Sequence, residues 1–251
     1  TFGRYYKSME KVLRIGTRDS ELAMWQAKKV QSLLENLGYT TILVPVKSQG
    51  DLTLDVPLYE MGITGVFTKV LDVAMLQGHI DIAVHSMKDV PTMLPKGIVK
   101  GAVLERANVQ DVLVYKGNLD FLSMAEATIA TGSLRRKAQW LRRYPTHNVE
   151  NLRGNIATRL RKLQEQPWQG AIFAAAALER LQHDNLQTLT LDWMTPAPAQ
   201  GAIMAVALAN DTYALEALAQ INSPKADTET DIERRFLKRL EGGCTAPIGA
   251  R

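Results

Sequence analysis

Short apolar segments alternate with amphipathic segments along most of this sequence, and that alternation limits the folds available to it. Near the start, 12–16 has the pattern of a strand, 20–37 that of a helix closed by Gly38, and 40–46 that of a second strand. A strand, a helix and a strand in succession are typical of a parallel sheet covered by helices. The sequence therefore predicts an α/β protein.

The same alternation returns in the second half of the chain. We predict three strands and two helices there, at 127–130, 134–143, 149–152, 155–165 and 171–176. Two connecting segments, 105–110 and the proline-containing 195–201, separate this half from the rest. Two crossings between the same two halves predict a hinged, two-lobed body with a cleft between the lobes.

The segment 80–91 is the candidate centre of a site. It begins as an apolar strand and ends, just before a proline, in four polar residues: His85, Ser86, Lys88 and Asp89. Ligands of open α/β sheets bind just beyond the carboxyl ends of the strands. The segment alone also fits a capped turn, in which Asp89 accepts backbone hydrogen bonds and Lys88 points into water.

Basic residues concentrate where strands of the second half end. Residues 133–162 hold nine Lys or Arg against the single acid Glu150, although the whole chain has a net charge of only +4. Arg135 and Arg136 fall at a predicted helix start, where cations oppose the helix macrodipole, so we expect an anion there. We prefer the same interpretation for Arg153 and Arg159 and expect solvated helix faces for Arg142, Arg143, Arg161 and Lys162.

A small polycarboxylate fits this pattern better than a nucleic acid does. Only Trp140 and Tyr144 interleave with the arginines, whereas single-stranded nucleic acids are bound by stacked aromatic side chains. Arginine matches a carboxylate or phosphate bidentately. Arg18, at the end of the first strand, fits an anion site and a pair with a neighbouring carboxylate equally well.

Cysteine and histidine usage limits the other chemistry. One cysteine forms no internal disulfide, and the four histidines are too scattered for a zinc site, so no metal is expected.

No apolar run approaches the roughly 20 residues that a bilayer requires, and 1–10 lacks a signal-peptide core. We expect a cytoplasmic protein with Met9 as its natural start.

The last predicted helix leads to the single cysteine. This helix covers 227–240, and its inward face is predicted to hold Ile232, Phe236, Leu237 and Leu240. Cys244 follows in a glycine-rich loop, where a thiol is accessible to covalent chemistry. A lone cysteine is more often a small buried residue, so both interpretations stay open.

Six motifs, in order and in spacing, resemble the porphobilinogen deaminase (hydroxymethylbilane synthase) family. They are Gly16–Ser20, His85–Pro91, Gly132–Arg136, Leu152–Leu160, Gln200–Ala202 and Leu240–Cys244. Each motif alone is weak, but six in register across 13–249 are specific.

The resemblance implies an α/β fold of two periplasmic-binding-protein-like lobes with mixed, largely parallel sheets and helices on both faces. A partial third α+β domain carries the cysteine loop. We assign 9–105 and 196–221 to domain 1, 106–195 to domain 2, and 222–251 to the start of a domain 3 that is truncated relative to the family.

The resemblance also implies a transferase of tetrapyrrole and heme biosynthesis. Such an enzyme deaminates porphobilinogen and condenses four units head to tail on a dipyrromethane held by a thioether to Cys244, releasing hydroxymethylbilane. The catalytic residues implied are Asp89, which assists loss of ammonia and stabilises an azafulvene-like cation, and Lys88 beside it. Whether Asp89 serves as acid, base or electrostatic partner stays open. The cofactor and growing chain are expected to bind Arg18, Ser20, Gln26, Thr131, Ser133, Arg135, Arg136, Arg153, Gly154, Asn155, Arg159, Arg180, Gln200 and Gly201.

A monomer that binds neither nucleic acid nor membrane is expected. Glu60 and Thr64 stand where the family's lid usually carries lysines, and Pro198-Ala199 replaces the more usual Val-Gly. The residues themselves also fit a non-catalytic two-lobed binding protein or effector domain for a small polycarboxylate. Such a module would need the arginines but neither Asp89 nor Cys244.

Overall fold

The computed structural model describes residues 11–46, 68–240 and 247–251. These residues contain two five-stranded sheets. The strands are β1 (Leu13–Arg18), β2 (Thr41–Val46), β3 (Ile82–Ser86), β4 (Ile98–Val103), β5 (Asp111–Tyr115), β6 (Thr128–Ala130), β7 (Asn148–Glu150), β8 (Gly170–Ala174), β9 (Thr188–Thr190) and β10 (Ile203–Leu208). The helices are α1 (Glu21–Asn36), α2 (Lys69–Leu76), α3 (Leu134–Arg143), α4 (Ile156–Glu165), α5 (Ala175–Arg180), α6 (Thr212–Ala219) and α7 (Pro224–Arg239).

The two sheets repeat one topology. The first has the order β2-β1-β3-β10-β4 and the second β7-β6-β8-β5-β9. In the first sheet β1 pairs in parallel with β2 and β3, and β10 runs antiparallel to both of its neighbours. The second sheet has the same arrangement, with β5 as the strand that runs against the others. The predicted mixed, largely parallel sheets are confirmed.

The two reversed strands bring the crossing segments to the carboxyl edges of the sheets. Ile203 at the start of β10 lies opposite Ser86 at the end of β3. Asp111 at the start of β5 lies opposite Ala174 at the end of β8. Each crossing therefore enters a sheet at the edge where ligands of α/β proteins bind. The numbered division into three domains remains a prediction.

Helices cover both faces of each sheet, as predicted. Residues of α1 and α6, including Val30, Leu34 and Leu218, pack on one face of the first sheet. On its other face lie Leu71 and Met75 of α2 and the start of α7. In the second sheet, Trp140 of α3 and Leu163 of α4 belong to opposite cores. Every helix in the described ranges is too short or too polar to span a bilayer.

Some predicted boundaries and faces are wrong. The strand predicted at 171–176 ends at Ala174, because the alanines that follow begin α5, and alanine is the best helix former. In α7 the predicted inward face is also wrong except for Leu237: Ile232, Phe236 and Leu240 are 64%, 49% and 52% exposed. The buried face of α7 consists of Ala226, Thr230, Glu233 and Leu237.

A charged contact selects this face of α7. Glu233 accepts hydrogen bonds from Arg106 Nη1 and Nη2 at 2.7 and 2.8 Å and from the Ala199 N–H at 2.7 Å. Arg106 Nε also donates to the Gln200 carbonyl. Both crossing segments are thus fastened to α7 through Glu233. Ala199, where the resemblance implies glycine, has φ +61°, which is a strained value for alanine.

Candidate active site

The polar turn after β3 is held by its apolar members. Met87 and Val90 are 1% and 3% exposed and belong to the core beneath the turn, so they fix the 3-10 turn Met87–Asp89. Lys88 and Asp89 between them are half-buried. Among the described residues, no hydrogen bond or ion pair engages the Asp89 carboxylate. The capped-turn alternative does not match this geometry, and the described residues leave the Asp89 carboxylate available to a ligand.

A buried carboxylate neutralises part of the basic patch. Asp111 is fully buried and lies 2.7 Å from Arg135 Nη1 and 2.7 Å from Arg136 Nη2. The guanidiniums of Arg136 and Arg135 hold the pKa of this carboxyl well below its usual range, against the opposing effect of burial. Arg135 also donates to the Thr195 carbonyl and Arg136 to the Ile172 carbonyl. The anion expected beside these two arginines is therefore a residue of the protein itself.

Asp111 is a site residue that the sequence analysis missed. Its signal in the sequence is an acid at the head of an otherwise apolar segment, 111–115. Buried carboxylates are rare unless they are paired. A predicted buried strand that begins with Asp, in a chain with unpaired arginines nearby, could have indicated the contact.

Gln200 connects this ion cluster to the turn after β3. Its side-chain amide donates to the Val109 carbonyl at 2.7 Å and to Asp111 Oδ1 at 3.0 Å, and its Oε1 accepts from Lys88 Nζ at 3.2 Å. Burial, followed by the repulsion of Arg136, lowers the pKa of Lys88 to about 8. The two sheets thus contribute to one polar network, in which Lys88 loses its proton at a lower pH than an exposed lysine does.

Arg153 and Arg159 leave a surplus of positive charge at the site. Arg153 is 4% exposed, and its buried Nη1 has no hydrogen-bond partner among the described residues. Arg159 Nε donates to the Gly154 carbonyl at 2.7 Å, and burial together with Arg136 lowers the pKa of Arg159 to about 10. Buried unsatisfied N–H groups are costly, so these arginines are suited to receive an external anion.

Three predicted binding residues of the second sheet serve local structure. The side chain of Ser133 accepts from the Arg136 N–H and that of Asn155 from the Thr158 N–H, which makes them the N-caps of α3 and α4. Thr131 Oγ1 accepts from the Ser133 N–H at 3.2 Å.

Local packing explains the two glycines near these caps, Gly132 and Gly154. A Cβ on Gly132 would lie 2.5 Å from the Leu152 carbonyl oxygen. Gly154 has φ +112°, and a Cβ there would meet the Thr158 side chain at 2.7 Å. The binding role predicted for Gly154 stays a prediction.

The first sheet contributes a second group of predicted residues. Gln26, 2% exposed on α1, donates to Ser86 Oγ at 2.8 Å. Ser20 is the N-cap of α1 by position, without a capping hydrogen bond from its side chain. Arg18 ends β1, and its charge, after the larger effect of burial, helps to lower the pKa of His85 to about 4. His85 is therefore neutral at pH 7.

Arg180 and Gly201 lie at the crossing segments. Arg180 follows β8 by the length of α5, so it does not share the strand-end position of the other arginines. Its Nη2 donates to the Gly201 carbonyl at 2.7 Å, and its guanidinium lies 5.6 Å from the centre of the Trp25 ring. Gly201 has φ +85°, and a Cβ would approach the Ala107 carbonyl oxygen to 2.6 Å. These two residues connect the lobes.

Three predicted positions, Glu60, Thr64 and Cys244, lie outside the described residues. Within the described ranges, no cluster of His, Cys, Asp or Glu is arranged to hold a metal ion.

The fold and the site together define a two-lobed, binding-protein-like class with a cationic site at the carboxyl edges of its sheets. Two solved structures share the fold. An ancestral cationic amino acid solute binding protein aligns with a TM-score of 0.52 at 16% identity, over 90% of this chain and 94% of that one. The periplasmic VFT2 domain of BvgS from Bordetella pertussis aligns with a TM-score of 0.51 at 12% identity, over 90% and 92%.

Sequence comparison narrows the class to one family. Residues 13–216 match the family described as "Porphobilinogen deaminase, dipyromethane cofactor binding domain". The chain is 42% identical to a porphobilinogen deaminase of Syntrophotalea carbinolica, over 95% of this chain and 77% of the relative. It is 43% identical to a probable porphobilinogen deaminase of Methanocaldococcus jannaschii, over 95% and 82%. The protein belongs to the porphobilinogen deaminase family.

Proposed function

We propose that the protein is a hydroxymethylbilane synthase. It deaminates porphobilinogen and condenses four units head to tail on a dipyrromethane attached to Cys244. The observation that carries this proposal is the Asp89 carboxylate, which has no hydrogen bond among the described residues and lies within electrostatic range of Arg159. Arg159 is in turn within range of Arg153, whose Nη1 is unsatisfied among those residues. We further propose that it acts as a cytoplasmic monomer that binds no nucleic acid.

The charges of the site fit a polyacidic dipyrrole. Pyrroles with carboxylate side arms need several cationic partners, and arginine binds carboxylates bidentately. Among the described residues, pairwise electrostatic interactions link two carboxylates, Asp89 and Asp111, with the cations Arg18, Lys88, Arg135, Arg136, Arg153 and Arg159. Since Asp111 already serves Arg135 and Arg136, we assign the external carboxylates chiefly to Arg153 and Arg159.

The charged residues of the site have different roles in the proposed reaction. When bound, the dipyrromethane supplies the pyrrole to which new units are joined. Asp89 places a negative charge where the leaving amine creates positive charge on the substrate, and preorganised charge of this kind is a large catalytic effect. Lys88, with a pKa of about 8, is placed to bind a substrate carboxylate or to exchange a proton beside Asp89. The backbone and helix starts around the site are stabilised by Gln26, Thr131, Ser133, Gly154 and Asn155. The two lobes are connected by Arg180, Gln200 and Gly201.

Intact-mass measurement tests the function directly. Freshly purified protein supplied with porphobilinogen is expected to carry a covalent adduct of two pyrrole units, and Cys244→Ser is expected to lose it completely with all synthesis of hydroxymethylbilane. The serine hydroxyl is a far weaker nucleophile than a thiolate, which explains the loss. A parent protein that binds porphobilinogen but never carries the adduct would instead be the non-catalytic binding module.

The pH dependence of kcat/KM tests the assignment of Lys88. The side chain is cationic below its pKa of about 8 and neutral above it. Loss of one charge-assisted hydrogen bond to a substrate carboxylate is worth about tenfold, so kcat/KM is expected to fall by roughly that factor between pH 7 and pH 9.5. In Lys88→Arg the decline is expected to shift to higher pH, because a guanidinium stays protonated throughout.

The exposed Lys137 on α3 provides the matched control for this experiment. Lys137→Arg is expected to keep the parental profile. A Lys88→Arg protein whose alkaline decline coincides with that of the parent would remove Lys88 from substrate binding.

A further inference from the structure

We propose that Arg234 of α7 is a positioning residue for Asp89. The inference rests on the proposed function and concerns a residue outside the predicted site. Arg234 Nη1 donates to the carbonyls of Val90 at 2.8 Å and Met87 at 3.2 Å, and its Nη2 donates to the Pro91 carbonyl at 2.6 Å. One guanidinium therefore holds peptide carbonyls on both sides of Asp89.

These contacts restrain the part of the turn that side-chain packing does not fix. Met87 and Val90 anchor their own side chains in the core, but Lys88 and Asp89 have no such anchor and are half-buried. The direction of the Asp89 carboxylate then depends on the orientation of the surrounding peptide planes. A planar fork that donates to three carbonyls fixes those planes with little loss of entropy per hydrogen bond.

The helix that supplies Arg234 is itself firmly held. The preceding residue, Glu233, is 6% exposed and binds Arg106 and the Ala199 N–H of the crossing segments. Ala226, near the start of α7, packs into the same core as Met87 and Val90. Two successive side chains of α7 thus bind neighbouring parts of the site: Glu233 binds the crossing segments, and Arg234 binds the turn that carries Asp89.

Arg234 lies close in sequence to the proposed cofactor attachment point. Cys244 follows α7 within a few residues, and the helix ends at Arg239. The element that leads to the proposed cofactor attachment point is therefore the same one that orients the proposed catalytic carboxylate. Arg234 sets the orientation of Asp89 relative to α7, and it contributes to kcat more than to substrate binding.

Steady-state kinetics of Arg234→Ala test the proposal, with Arg235→Ala as matched control. Arg235 is the neighbouring arginine, and its side chain is 78% exposed. Among the described residues it forms an ion pair with Asp231, one turn earlier on the same helix. In Arg234→Ala we expect kcat to fall about tenfold or more while KM changes less than about threefold, because small misplacements of a reacting group reduce the rate strongly. Arg234→Lys, which still donates to carbonyls, is expected to recover part of kcat.

Hydrogen exchange separates this proposal from the proposed function, because it needs no turnover. The Met87 N–H donates to the Ala202 carbonyl and the Val90 N–H to the Met87 carbonyl. Both amides are expected to exchange at least several-fold faster in Arg234→Ala than in Arg235→Ala, with unchanged exchange in β10. If Arg234→Ala does not fold, Arg234→Lys is measured for the same two amides. Parental exchange at Met87 and Val90, or a kcat within twofold of the control, would overturn the proposal.

Discussion

Replacing Asp89 by asparagine is expected to reduce turnover of porphobilinogen by about 10²- to 10⁴-fold, the range typical for removal of a positioned catalytic group. The amide has the same shape but no charge. Lys88 and Arg159 lie within electrostatic range of Asp89, so the neutral variant would leave a cation developing on the substrate among other cations. The covalent adduct on Cys244 is expected to stay in place, because each protein molecule acquires it only once and a slow enzyme still completes that step during expression.

Turnover and intact mass measured on the same preparation distinguish loss of chemistry from loss of the cofactor. Asp184→Asn, at an exposed carboxylate of the second sheet's lobe, is the matched control and is expected to retain parental turnover. An Asp89→Asn protein that retains more than about a tenth of the parental rate would be inconsistent with a catalytic role for this carboxylate. An adduct-free Asp89→Asn protein would place the residue in cofactor loading instead.

The spacing of apolar residues, together with the residues that end or cap an element, is sufficient to predict the elements that position the site. The segment 134–143 is predicted as a helix, and α3 has those bounds, with Ser133 directly before it as the N-cap. The β3 turn was predicted from an apolar run that stops at polar residues and a proline, and the structure places Lys88 and Asp89 there. Both signals are local, because capping and strand termination depend on neighbouring residues.

Pairings between distant segments could not be predicted in the same way. Asp111 meets Arg135 and Arg136 only because β5 is the reversed strand that begins at the carboxyl edge of the second sheet. The face of α7 that turns inward is likewise selected by Arg106, which is distant in sequence from Glu233. The hydrophobic pattern alone predicts Ile232 and Phe236 on the buried face of α7. Tertiary contacts override that pattern, and both side chains are exposed.

The fully buried Asp111 is expected to be the most costly single carboxylate to remove for stability. Asp111→Asn leaves Arg135 and Arg136, 4% and 6% exposed, without their shared counter-charge. Removal of one partner from a buried ion pair costs about 3–5 kcal/mol, because the remaining charge is buried and uncompensated. We expect the free energy of unfolding, measured by urea denaturation at pH 7, to fall by about this amount.

The pH dependence of this difference tests its electrostatic origin. The pKa of Asp111 is lowered in the folded protein, so its stabilising contribution is complete above the pKa of the unfolded state, about 4, and is lost as the pH falls below that value. The difference in stability between the parent and the Asp111→Asn protein is therefore expected to shrink steadily as the pH falls below about 4, and to vanish only near the much lower pKa of the folded state. Glu165→Gln removes an exposed helical pair with Arg161 and is expected to cost less than about 0.5 kcal/mol at any pH. A loss at Asp111 as small as that of the control would mean that the two arginines find other counter-charges.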